Sequence, residues 1–109
     1  MNVPERIKNA ISNYNFFVNV YNEVVSSLDL SKETDRRYKW RLEAELQKEE
    51  ISLYSTIQGY NICAECSGAE QIKLVPDVVL ESVEIPACSL LFGKNNTMQI
   101  FQIRTYAEV

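Results

Sequence analysis

The chain has 109 residues, 46% of them apolar, and carries a net charge of −4 with a sequence pI of about 4.8. That length can enclose one core without metal or disulfide staples, so a single domain over 1–109 is expected, and the apolar content excludes a disordered tail. The acidic balance argues against a nucleic-acid surface, because phosphate neutralisation needs clustered Lys and Arg, and the nearest cluster, Lys32, Arg36, Arg37, Lys39 and Arg41, is closely flanked by acidic residues.

The N-terminal stretch has no unbroken apolar run like that of a signal peptide, and no segment approaches the ~20 apolar residues of a membrane span. No membrane contact and a cytoplasmic location are therefore expected, and an odd number of cysteines, three, fits a reducing compartment.

A first helix is predicted from Pro4 to about Leu28. Ile7, Tyr14, Tyr21 and Leu28 recur at seven-residue intervals, accompanied by Ala10, Phe17 and Val24 and by Ile11, Val18 and Val25. Together they form one wide apolar stripe. The polar face holds Asn9, Asn13, Asn15, Asn19 and Asn22. Five asparagines oppose helix formation by roughly 3 kcal/mol, whereas each large apolar side chain buried contributes roughly 1.5–3 kcal/mol. The helix is thus expected to form only when docked.

Asp29, Leu30 and Ser31 make a short connection, with Ser31 as N-cap and Glu33 in the first turn of a second helix. Tyr38, Leu42, Leu46, Leu53 and Ile57 lie on one face of it, and the short connection makes the two helices an antiparallel hairpin over about 4–58. Trp40, Ala44 and Ile51 project from the opposite face. A two-sided helix must bury both sides, one on the first helix and the other on a sheet of the same chain or on a second subunit. Residues 51–63 combine helical spacing with strand-like alternation; helix to about Ile57 is favoured, ended by Gly59 or Gly68.

Beyond Gly68 the pattern turns to strand over about 70–107. Segments 71–75, 78–85 and 88–92 are short and punctuated by Pro76 and Pro86, 93–97 is a turn, and 98–106 is the longest strand candidate. A hairpin of 88–92 with 98–106 is expected, with the prolines at strand ends or edges. The fold class is α+β: an N-terminal antiparallel helical hairpin packed on a small C-terminal antiparallel β-meander.

The chain contains no histidine, which removes the commonest general base and the usual Ser and Cys triads, and no phosphate-cradling glycine motif occurs. No enzymatic activity and no cofactor are expected. Cys63 and Cys66 form a CxxC pair that can occupy half a tetrahedral zinc site with Cys88 as third ligand, but no second pair completes it. A redox role needs a helix N-terminus, and this pair follows a helix. The ordinary reading makes Cys63 and Cys88 small buried hydrophobes and places Cys66 in a turn. Glu43, Glu45, Glu49 and Glu50, with Asp77, Glu81 and Glu84 later, read first as a solvated face with local ion pairs and second as an acidic surface that imitates nucleic acid.

Phe16, Val20 and Trp40 lie off the main stripes and, with Glu43 and Glu50, are the candidate partner-binding residues. The expectation is a small acidic protein–protein interaction module, a homo-oligomer through its helices, of a kind that suits a virus- or phage-encoded inhibitor of a host defence factor such as a nuclease, acting in the host cytoplasm. A structural subunit of a virion or other assembly, and a cysteine-dependent metal or redox protein, are the alternatives.

Overall fold

The computed structural model describes residues 3–76, 82–86 and 97–108. Two long helices come first, α1 (Glu5–Ser26) and α2 (Glu33–Ser67), followed by β1 (Ser82–Pro86) and β2 (Thr97–Phe101), which pair antiparallel. The fold is α+β, a helical hairpin followed by a β-hairpin.

In α1 the seven-residue row and its neighbours Ile11, Val18 and Val25 are buried, while Ala10, Phe17 and Val24 lie half-buried at the edge of the core. Pro4 stands just outside the helix and its carbonyl accepts from the amides of Ile7 and Lys8. The helix stops at Ser26, so Leu28 enters the core from the connection, as does Leu30.

Ser31 does not cap α2. Its amide and hydroxyl both donate to Asp29 Oδ1, a local turn that competes with capping, and Lys32 takes the N-cap position with no side-chain hydrogen bond. The connection is knitted instead by Asp35, which accepts from the Asp29 amide at 2.8 Å, and by Arg36, whose guanidinium donates to the Leu30 carbonyl at 2.8 Å.

α2 runs ten residues beyond the expected end at Ile57, through the whole ambiguous segment to Ser67. Leu46, Leu53, Ile57 and Ala64 face inward at helical spacing, so packing overrides the local β-propensity. Gly68 ends the helix at φ 75°, where the left-handed conformation suits glycine, while Gly59 stays inside it. Tyr38 departs from the predicted inward row and is 43% exposed. Each step of four residues turns the row by about 40°, and by Tyr38 it has rotated off the core.

In the sheet, Val83 pairs with Ile100 and Ile85 with Met98 on the core side, and Glu84 pairs with Gln99 on the outer side. Ile85 is fully buried, and the Leu30 amide donates to the Pro86 carbonyl at 2.7 Å, which fixes the β-hairpin to the helical connection. The pairing partner of β2 is thus 82–86; the expected partner 88–92 lies outside the described residues. The long strand expected over 98–106 ends at Phe101. Residues 71–75, expected as a strand, join no sheet among the described residues, and beyond them Pro76 forms an isolated antiparallel bridge with Tyr106. The molecule measures 59 × 24 × 19 Å, its long axis set by the 35 residues of α2.

Candidate functional site

Three asparagines hold the chain where the sheet gives out. Asn15 donates to the Tyr106 carbonyl at 2.6 Å and accepts from the Tyr106 amide at 2.8 Å. Asn22, two turns further along α1, does the same to Ile103, with both bonds at 3.0 Å. Asn61 of α2 clasps Ile72 at 2.9 and 2.7 Å. A side-chain amide has the same donor and acceptor as a peptide group, so each asparagine stands in for one rung of a β-ladder. Asn15 is buried, which corrects its placement on the polar face.

Tyrosines join the same three parts. The rings of Tyr14 and Tyr106 lie 5.6 Å apart, Tyr54 meets Tyr106 edge-on at 6.4 Å, and the Tyr54 and Tyr106 hydroxyls are hydrogen-bonded. Burial, with Glu50 and Tyr106 nearby, pushes the Tyr14 phenol up to about 12. The Tyr54 phenol is also raised, first by its hydrogen bond to Tyr106 and then by burial. Tyr21 donates to Glu43 Oε1 at 3.1 Å across the two helices, and burial followed by the charge of Glu43 raises its phenol too.

The two carboxylates predicted to bind a partner therefore have internal company. Glu43 is half-buried and accepts from both Tyr21 and Lys39, and half-buried Glu50 faces Tyr14 and Tyr54. Elsewhere on α2, Glu33 pairs with Arg37 at 2.8 Å and Glu45 with Lys48 at 3.6 Å, both at the surface.

Phe16, Val20 and Trp40 are all in solvent, Phe16 at 71% and Trp40 at 75% exposure. Phe16 and Val20 are neighbours one turn apart on the outer face of α1. Trp40 lies on the face of α2 opposite its buried row, so the structure does not bring it together with the α1 pair. Along that α2 face Ile51 and Ile62 follow Trp40 at intervals of 11 residues, 59% and 56% exposed. Ile62 lies in 51–63, where helical and strand-like spacing overlap in the sequence, and its 11-residue interval from Ile51 is the signal that marks it. The β-hairpin packs on the other side, and no described residue covers this face.

Cys63 and Cys66 are free and exposed in the last turns of α2, so Cys63 is not a buried hydrophobe, and Cys88 lies outside the described residues. Both sit at the negative end of the helix dipole, the reverse of the setting that activates a thiolate. Among the described residues, no three His, Cys, Asp or Glu side chains converge as a metal site would require. An open groove of about 540 Å³ runs between the helices, lined by Arg6, Asn9, Asn13, Glu49, Ser52 and Thr56 among others. It holds one carboxylate and one guanidinium but no paired acid and base. No helix among the described residues is long and apolar enough to cross a membrane.

The chain matches no known family model, no curated protein and no solved structure.

Proposed function

We infer that this chain is a non-enzymatic protein–protein interaction module, acting through large apolar side chains presented on the outer faces of its two helices. One observation carries the reading: Trp40, Ile51 and Ile62 stand in solvent along α2 although the same chain has a buried core and a sheet that could have covered them. Trp is enriched where protein surfaces meet, because a large apolar body ends in a single polar handle. Phe16 and Val20 on α1 supply a second, smaller apolar pair. The absence of histidine from the sequence favours recognition over reaction.

The test is capture on immobilised full-length protein, comparing the native chain with Phe16→Glu and Trp40→Glu variants. The expected result is a stoichiometric protein partner whose retention falls at least about tenfold in one variant, the loss typical of an interface anchor. A native chain that retains nothing and remains monomeric at high concentration, or purified protein that turns over a small substrate, overturns the reading.

A further inference from the structure

The outer face of α2 has an order that a generic sticky surface lacks. Trp40, Ile51 and Ile62 are separated by 11 residues each, and Ala44, Gln47, Ser55 and Gln58 fill the turns between them, all exposed and none charged. An 11-residue spacing completes three turns of helix with a drift of only about 20°, so these side chains share one stripe about 33 Å long. The stripe is symmetric about Ile51: its members lie 4, 7 and 11 residues to either side. A symmetric stripe is self-complementary under a two-fold axis, which is the requirement of a closed homodimer.

We propose that two copies of this chain pair antiparallel through this stripe, with Ile51 on the two-fold axis and Trp40 of each copy packed against Ile62 of the other. The proposal rests on the interaction-module reading and names a partner for one of its surfaces. The flanking charges select this arrangement. Arg36 and Glu65 lie on the same flank of the stripe, 15 residues before Ile51 and 14 after it. Antiparallel pairing sets same flanks together, so Arg36 of each copy meets Glu65 of the other, twice per dimer. Arg36 spends one guanidinium bond on the Leu30 carbonyl and keeps further donors free. On the opposite flank Arg37, Arg41 and Lys48 then face Ser55, Gly59 and Cys66, none of them cationic. Parallel pairing would instead set Arg36 of each copy against Arg37 of the other, a like-charge contact at both edges. At Gln47 and Ser55, which meet across the axis, an amide faces a hydroxyl, so the polar members of the stripe can bond to each other.

A seam built on one helix lies at the small end of specific interfaces, so the dimer dissociates on dilution. Sedimentation of the purified full chain over a concentration series should show a monomer–dimer equilibrium. Ile51→Arg sets two cations against each other on the axis and should weaken dimerisation at least about tenfold, with helicity unchanged and with melting unchanged at dilutions where the native chain is monomeric, because Ile51 is exposed in the monomer. At low salt Arg36→Glu should weaken it about threefold, and adding Glu65→Arg in the same chain should restore it. A monomer at every concentration overturns the proposal, as does a dimer indifferent to Ile51→Arg; failure of the charge swap to restore pairing overturns the antiparallel register. A monomer that still captures a protein through Phe16 or Trp40 sinks the dimer and leaves the module reading intact, whereas a monomer that captures nothing sinks both.

Discussion

Asparagine is a poor helix residue, and α1 carries five between Asn9 and Asn22. Two of them earn their place by the bonds they make to the C-terminal segment. Asn15→Ala leaves the Tyr106 amide and carbonyl without partners beneath half-buried side chains, which should cost about 1–3 kcal/mol. Asn19 points to solvent on the same helix, and Asn19→Ala should stabilise by up to ~0.7 kcal/mol through propensity alone. Urea denaturation of the two variants separates these signs, and hydrogen exchange at the Tyr106 amide should accelerate only in the first. Equal effects at the two positions would remove the ladder role assigned to Asn15.

At the scale of elements, two glycines of α2 make opposite demands. Gly59 lies within the helix with nothing within 4 Å of an added methyl group, so Gly59→Ala should stabilise by about 0.5–1 kcal/mol. Gly68 has the same free space but a φ of 75°, and Gly68→Ala should destabilise by about 1 kcal/mol through backbone strain alone. Thermal melting of the two variants should therefore move in opposite directions. The helical hairpin was legible because its buried rows keep one period from Ile7 to Val25 and from Leu46 to Ile57. The end of α2 was not, since Ile51, Tyr54 and Ile62 suit a strand as well as a helix, and only packing of Leu53, Ile57 and Ala64 decides between them. The break in β2 after Phe101 was hidden for a different reason: Gln102 to Tyr106 read as strand, but the backbone groups of Ile103 and Tyr106 bond to side chains 81 and 91 residues away. The exposed candidates Phe16 and Trp40 were visible as residues that fit no inward row. The clasping role of Asn15, Asn22 and Asn61 was not, because a polar residue one position off an apolar stripe looks the same whether it meets water or backbone.

For the molecule as a whole, helix α1, helix α2 and the C-terminal segment converge on Tyr14, Tyr54 and Tyr106. Burial and neighbouring carboxylates keep the phenols of Tyr14 and Tyr21 protonated in the folded chain, Tyr14 up to about 12, whereas unfolded tyrosines ionise near pH 10. Between these values the unfolded state releases protons that the folded state retains. The stabilisation is therefore complete below about pH 10 and is lost as pH rises toward about 12. Urea midpoints should fall across that window, and the fall should be shallower in Tyr14→Phe and Tyr21→Phe, which have no phenol to ionise. A flat midpoint through the window would contradict the raised phenols.

Because each asparagine amide touches only the peptide groups of residues 72, 103 and 106, the anchors are blind to the side chains mounted there. The clasp itself asks only for an N–H and a carbonyl and refuses proline, while the choice of side chain at these positions is set separately by the core that Ile72, Ile103 and Tyr106 pack against. The positions of the C-terminal run that face solvent, Arg104 and Glu108, are thus free to vary while the run stays fastened in one register by bonds that need no second strand.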